Sequence, residues 1–482
     1  MNLDPDSCYR ALATHDTRFD GRFFVGVTST HIYCRPVCTV RTPRRENCRF
    51  FMSAAAAEVE GFRPCMRCRP ELAPGMASVD ATARLAQGAV DLIENGTLEE
   101  GGIDHLAARV GVTPRHLRRV FAAEFGVAPV EYAQTQRLLL AKRLLTDTAL
   151  PVTEIALASG FQSVRRFNAL FKSRYRMAPG RLRRDRAPGM LPDALRFELA
   201  FRPPYAFDAI LDFLRDRAIP GIENVGAHAY TRTLTITHRG TMHTGVIDVR
   251  RLPRKSALAV QLSASFARVV PQALARVKHA FDLACDPNEI DAHLGPLAVA
   301  HPGLRVPGAF DGFELGVRAI VGQQVSVRAA RTLLGRVVRT HGEALEGAMA
   351  AATVENAYRF PTATAIAVAG AAAVAQCGLT PARARTIVAL AEAVAAGGLV
   401  LEPGVDVEAT IERLRALPGV GPWTAHYIAM RALRWPDAFL ANDLVVLRAM
   451  NETRPARAEA ASAAWRPWRA YAVMHLWKGA ST

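Results

Sequence analysis

Six of the eight cysteines lie in the first 68 residues: Cys8, Cys34, Cys38, Cys48, Cys65 and Cys68. Cys285 and Cys377 stand alone. The spacing Cys34-x3-Cys38, a gap of 26 residues, then Cys65-x2-Cys68 sets two short pairs on either side of a loop. Four thiolates so arranged can surround a tetrahedral Zn²⁺. A thiolate held by a cation stays deprotonated at neutral pH and remains a nucleophile. A purely structural zinc knuckle would use the same spacing. Cys8 and Cys48 fall outside the pairing and read as bystanders. The sequence opens Met-Asn-Leu-Asp-Pro-Asp-Ser, acidic and without an apolar core, so no signal peptide is expected. That argues against a disulfide framework and for metal binding.

A second constellation sits near the other end. Leu417-Pro-Gly-Val-Gly-Pro-Trp-Thr-Ala425 reads as a hairpin between two helices. Gly419 and Gly421 let backbone N–H groups approach an anion at the start of the following helix. Such a hairpin clamps a DNA phosphate without reading sequence. Asp443 lies 22 residues after Gly421 and could serve simply as a helix N-cap. Aromatic residues make up 7% of the chain, yet Trp423, Tyr427, Trp465, Trp468, Tyr471 and Trp477 crowd its last 60 residues. Core packing explains some of them. A pocket that stacks a flipped base explains several.

The elements that must position these residues follow from pattern. At 482 residues, half of them hydrophobic, the chain has material for about three domains. The longest apolar stretch, Ala365 to Ala375, is too short to span a bilayer, so no membrane partner and a cytoplasmic, nucleoid-associated protein are expected. The net charge is +16, shared as +9 over residues 1–190 and +7 over the rest. A polyanionic partner fits that balance, although an Arg-preferring genome would also produce it. Residues 1–77 are Cys-rich with short β-like runs, 78–190 are helical, 191–282 alternate like strands around a helix at Phe207–Arg217, and 283–482 are helical and Ala-rich. Linkers are expected at 73–75 and 186–192. The fold class is therefore multidomain and mainly α, with α+β parts.

The second segment repeats itself. Leu106-Ala107…Gly111 is echoed by Ile155-Ala156…Gly160, and Phe121…Phe125…Ala128-Pro129 by Phe171…Tyr175…Ala178-Pro179. Each copy predicts a helix-turn-helix, whose second helix enters the major groove. The candidate recognition helices run over Pro114–Phe125 and Ser163–Tyr175. They carry Arg115, Arg118 and Arg119 in one copy and Arg165 and Arg166 in the other, which suit guanine edges or phosphates. Ordinary helical hairpins with solvated Arg faces remain the alternative.

The residues around the cysteines carry a resemblance. Phe19-Asp20-Gly21-Arg22-Phe23-Phe24, Ile32-Tyr33-Cys34-Arg35-Pro36-Val37-Cys38 and Arg63-Pro64-Cys65-Met66-Arg67-Cys68-Arg69-Pro70 resemble the N-terminal domain of the Ada adaptive-response regulator. That resemblance implies a zinc held by Cys34, Cys38, Cys65 and Cys68, with Cys34 taking a methyl group from a DNA methylphosphotriester. Zinc with four thiolates carries −2, and methylating one sulfur leaves −1, so the change would tighten DNA binding. Residues 78–186 resemble the AraC-type double helix-turn-helix. The Pro-Cys-His-Arg nucleophile motif of the full-length regulator is missing, so direct repair of O6-methylguanine is not expected.

From about Leu195 to Trp477 the chain resembles the AlkA alkylbase DNA glycosylases of the helix-hairpin-helix superfamily. Arg318-Ala-Ile-Val-Gly-Gln-Gln-Val-Ser-Val327, the hairpin, Asn442-Asp443 and Trp465-Arg-Pro-Trp-Arg…Tyr471…His475-Leu-Trp477 carry it. It implies Asp443 as the catalytic carboxylate and Trp423, Tyr427 and Trp477 as the base pocket. Gln324 takes the wedge position, where some relatives have Leu. Gly419, Gly421 and Thr424 are the expected DNA contacts of the hairpin. Trp423 stands where bifunctional relatives have a Lys, so hydrolysis without strand cleavage is implied. Asp443 would stabilise the developing sugar cation while an alkylated, positively charged purine leaves. The expected partners are alkylated and promoter double-stranded DNA, and RNA polymerase for an activator. The alternative is a regulator whose glycosylase-like part only binds DNA.

Overall fold

A computed structural model describes residues 4–74, 81–148, 150–182, 194–345 and 357–480. The linker expected at 186–192 and the boundaries expected at 77/78 and 190/191 lie outside the described residues. No helix among them is long and apolar enough to cross a membrane.

The N-terminal unit is a small sheet preceded by helix Pro5–Ala13, with helix Ala54–Val59 inserted before its last strand. Strands β1 (Phe24–Val27), β2 (Ile32–Cys34), β3 (Cys48–Phe51) and β4 (Arg63–Pro64) lie in the order β3-β1-β2-β4. β1 pairs antiparallel with β2 and β3, and β4 runs parallel to β2. The pairing places Cys34 at the end of β2, and β4 leads directly into Cys65. Register thus brings the two cysteine pairs to one edge.

Two helix-turn-helix copies follow, joined by the long helix Pro129–Asp147. Thr113 and Ser163 cap the recognition helices Pro114–Phe125 and Val164–Tyr175, accepting from the amides of His116 and Arg166. The turns before them use Gly111 and Gly160 at φ +77° and +81°. The first copy shares a core with Ala55 of the N-terminal unit, whereas Ile155, Phe167, Phe171 and Tyr175 of the second join the large core that runs on through residue 476. The two copies are therefore alike in sequence and different in what they pack against.

An antiparallel sheet comes next, with strands β5 (Ala194–Ala200), β6 (Glu223–Val225), β7 (Ala229–His238), β8 (Thr241–Arg251) and β9 (Ala257–Ser263) in the order β5-β9-β8-β7-β6. The expected helix spans Phe207–Arg217. β8 is the central partner of β7 and β9. Several of the remaining helices carry Asp, Ser or Thr caps, among them Asp311, Ser326, Thr380 and Asp406. Arg22 Nε bonds Asp286 at 2.9 Å, Lys278 bonds Glu94 at 2.9 Å and Arg434 bonds Asp91 at 2.8 Å, so ion pairs join units that are distant in sequence.

Candidate functional site

The sulfurs of Cys34, Cys38, Cys65 and Cys68 all lie within 4.8 Å of one another. None is in a disulfide. Packed thiols cannot all ionise together. Hydrogen bonding to Cys38 and then Cys65 drives Cys34 up, while the bond with Cys34 drives Cys65 down. Cys38 is lowered to about 7, chiefly by Cys34. A divalent cation at the centre removes this conflict, because it favours every thiolate at once. The four residues fit Zn²⁺ by number, softness and mutual distance, and form the zinc site.

The surroundings distinguish the four sulfurs. The amide of Arg35 reaches Cys68 Sγ and the amide of Arg67 reaches Cys65 Sγ, both at 3.4 Å. A backbone bond from Val40 also acts on Cys38. The main influences on Cys34 are the other three sulfurs, so its lone pairs are the least committed to backbone donors. Cys34 is 5% exposed, and Cys68 is the most open of the set. Arg35 is locked by Asp20, with Nε to Oδ1 at 2.7 Å, and donates to the Cys68 carbonyl at 3.2 Å. Cys8 and Cys48 pack in a separate apolar cluster with Leu12 and Val25, away from the zinc site.

The second site is a cavity of about 410 Å³ lined by Trp423, Tyr427, Asp443 and Trp477, together with Phe310 and Arg217. The hairpin falls between helices Val407–Arg415 and Pro422–Arg431. Gly419 has φ +82°, and a Cβ there would meet Thr386 Oγ1 at 2.3 Å, so glycine is required twice over. A Cβ at Gly421 would meet nothing within 4 Å. The start of helix Pro422–Arg431 is thus open to an anion, with unused N–H groups in its first turn.

Asp443 is an N-cap and more. Oδ1 accepts from the amides of Val445 and Val446, each at 3.0 Å, and from Trp477 Nε1 at 3.1 Å. Oδ2 accepts from Trp423 Nε1 at 2.9 Å. Two indole donors thus fix the carboxylate, and Oδ2 keeps acceptor capacity toward the cavity. Trp423 stacks on Tyr427, with centroids 5.0 Å apart and planes 9° from parallel. Tyr427 and Trp477 stand 6.4 Å apart at 48°.

Some participants were not anticipated. Arg431 donates to the Tyr427 hydroxyl at 2.6 Å and to the Pro307 and Gly308 carbonyls. Burial alone would raise the Tyr427 phenol, but Arg431 and Arg217 outweigh it and leave it below its usual value. Phe213 stacks on Trp477 at 6.3 Å and lies 3.8 Å beneath the Arg217 guanidinium. Both Arg follow an aromatic residue by four positions, a spacing that stacks them on a helix and could have signalled the pairs.

Thr424 is 2% exposed, and its hydroxyl accepts from Gln323 Nε2 at 2.9 Å. Its side chain thus braces the hairpin, which leaves the backbone of the first turn as the part of this residue open to an anion. Gln323 Nε2 also reaches the Gly419 carbonyl at 3.0 Å, which ties the Gly322–Ser326 loop to the hairpin. Gln324, at the tip, is exposed and has φ +53°. Arg115, Arg118, Arg119, Arg165 and Arg166 are all exposed on their recognition helices.

Four family profiles match in succession: the metal binding domain of Ada over residues 7–71, a helix-turn-helix domain over 106–185, the AlkA N-terminal domain over 196–311, and the HhH-GPD superfamily of base excision DNA repair proteins over 317–469. A Mycobacterium tuberculosis protein named as a probable bifunctional transcriptional activator/DNA repair enzyme AlkA is 38% identical, over 99% of this chain and 97% of its own. DNA-3-methyladenine glycosylase 2 of Escherichia coli is 36% identical over 58% of this chain and 96% of its own. The bifunctional transcriptional activator/DNA repair enzyme AdaA of Bacillus subtilis is 32% identical over 37% of this chain and 82% of its own. With a thiolate cluster at one end, a carboxylate-bearing aromatic cavity at the other and a relative aligned along nearly the whole length, this chain belongs to the family of bifunctional AlkA-type transcriptional activator/DNA repair enzymes.

Proposed function

We infer that this chain removes alkylated bases from DNA and couples that repair to an alkylation-responsive transcriptional switch. Four units divide the work: 1–77 accepts methyl groups, 78–190 reads promoter DNA, and 191–282 supports the glycosylase at 283–482. The observation that carries the excision reading is Asp443, held by two indole N–H groups in the lining of an aromatic cavity.

The flipped base stacks among Trp423, Tyr427 and Trp477, while Gly419 and Gly421 hold the backbone phosphate and Gln324 enters the gap left in the duplex. The N-glycosidic bond breaks, and its electron pair passes to the cationic base, which leaves neutral. Asp443 Oδ2 stabilises the positive charge on the sugar until water adds to the anomeric carbon and gives up a proton to solvent. Strand cleavage does not follow, because Trp423 replaces the amine nucleophile. In the N-terminal unit the Cys34 sulfur attacks the methyl carbon of a methylphosphotriester. A carbon–sulfur bond forms, the carbon–oxygen bond breaks, and its electron pair stays on the phosphodiester oxygen. Bound zinc keeps the sulfurs deprotonated at neutral pH. The methylated chain then binds promoter DNA and contacts RNA polymerase, with the nucleoid as its place of action.

A glycosylase assay on methylated duplex DNA tests this reading. Asn at 443 retains Oδ1 for the N-cap but turns an N–H₂ toward Trp423. Asp443→Asn is expected to slow excision by about 100-fold or more, the usual cost of losing one electrostatic stabiliser. Binding to undamaged DNA should persist. A near-normal rate would reduce Asp443 to a helix cap and leave a regulator that only binds DNA.

A further inference from the structure

The six-residue helix Ala54–Val59 touches both recognition helices, and at corresponding positions. Its N-cap Ser53 donates from Oγ to the Phe125 carbonyl at 2.6 Å. Phe125 ends the first recognition helix, so this bond satisfies one of its free terminal carbonyls. At the other end of the short helix stands Glu58. Its carboxylate accepts from the Tyr175 hydroxyl at 3.4 Å, and its backbone carbonyl accepts from Arg174 Nη1 at 3.0 Å. Tyr175 ends the second recognition helix and is the repeat counterpart of Phe125. Two further bonds fix the carboxylate: Tyr33 OH at 3.0 Å, from the residue before Cys34, and Thr135 Oγ1 at 3.3 Å, from the helix that joins the two copies.

The residues between these ends permit close approach. Ala54 and Ala57 pack with Tyr33, Phe51, Phe62 and Leu139, while Ala55 lies in the core of the first copy. A Cβ on Gly126, the C-cap of the first recognition helix, would stand 3.3 Å from Ala56 Cβ. Larger side chains here would push the helices apart.

We propose that Ser53 and Glu58, at the two ends of helix Ala54–Val59, are positioning residues that hold the recognition helices at one separation, so that the metal-binding unit sets the spacing between the two half-sites in the operator. The inference rests on both recognition helices reading DNA. Two helices in successive major grooves on one face of the duplex read half-sites about 10 bp apart. A fixed separation also makes the second helix bind at high effective concentration once the first is seated. Loosening either end should therefore broaden the tolerated spacing and weaken the joint site, while the base preference within each half-site stays the same.

The test is binding-site selection from a randomised duplex library, using the full-length zinc-loaded chain after exposure to methylphosphotriester DNA. Wild type is compared with Tyr175→Phe and with the Ser53→Ala/Tyr175→Phe pair. Wild type should select two half-sites at a single spacing. The double variant should select the same half-sites over a spread of spacings, and its ratio of operator affinity to isolated half-site affinity should fall about tenfold. Tyr175→Phe, which removes one hydroxyl, should move the same way by less. An unchanged spacing and ratio in the double variant would overturn the proposal. A parallel loss at operator and half-site would overturn it too, since the contacts would then serve folding alone. Failure of wild type to select any sequence would instead sink the promoter-reading function on which the inference rests.

Discussion

The thiolate cluster and the aromatic cavity are built on opposite plans. All four cluster ligands fall between residues 34 and 68, and a single strand pairing brings them together. The cavity draws Arg217 from one helix, Trp423 and Tyr427 from another, Asp443 from a cap and Trp477 from the last helix. The cluster depends on a bound ion for its geometry. The cavity depends on several elements being correctly packed, and its carboxylate is oriented by indoles rather than by an ion. The two sites should therefore fail independently, and for different reasons.

The sharpest break between them is Cys65→Ser. With three thiolates left, the N-terminal unit should lose its metal, and in small metal domains the binding free energy is largely the folding free energy, about 10 kcal/mol or more. Elemental analysis should show the zinc gone, and methyl transfer to Cys34 should be abolished. Base excision should continue, because no cavity residue belongs to that unit. Zinc retained in Cys65→Ser, or excision lost together with the metal, would undo the separation.

A milder break tests the indole frame. Trp477→Phe keeps an aromatic face against Phe213 but deletes the donor to Asp443 Oδ1. A hydrogen bond to a charged group contributes about 1.5–3 kcal/mol, so excision should slow by roughly 10- to 150-fold. The loss should fall on kcat, with DNA affinity kept, since the hairpin holds the phosphate separately. An unchanged kcat would mean that the carboxylate is oriented by its cap bonds alone.

Legibility in the sequence follows the same division. The zinc ligands could be read because four soft donors at short spacing have few other uses. The recognition helices could be read because the pattern occurs twice, and Thr113 and Ser163 mark their starts. Asp443 stands out through the resemblance to the AlkA glycosylases, but its indole partners do not, since a hydrogen bond across 34 residues leaves no periodic trace. The burial of Thr424 was equally hidden, because it depends on Gln323 of a loop about 100 residues earlier. Strand β8 is harder to read than its neighbours, because Thr241, His243 and Gly245 break the alternation that β7 and β9 show. Glu58 escaped altogether, as a lone acid in an Ala-rich helix gives no sign that three hydroxyls will surround it.

Glu58 also provides the smallest test, one that depends on no metal ligand. Burial is the largest influence on its carboxyl and raises it to about 7 against the opposing effects of Tyr33, Arg174, Thr135 and Tyr175. Between about pH 4.5 and 7 the folded chain therefore holds a proton there that the unfolded chain has released. Stability from this proton is complete below the unfolded value and is lost as pH rises through 7. Two to three pKa units correspond to about 3 kcal/mol as a ceiling, at 1.36 kcal/mol per unit. Glu58→Gln keeps an acceptor oxygen for the hydroxyls and cannot ionise. Zinc binding also changes with pH, so the informative quantity is the difference between variant and wild type in excess zinc. Urea melts of the N-terminal unit should show that Glu58→Gln gains on wild type by about 1–3 kcal/mol between pH 5.5 and 8, levelling off above the folded value. A difference that stays flat over that range would mean that Glu58 is ionised throughout, with its hydroxyl partners outweighing the cost of burial.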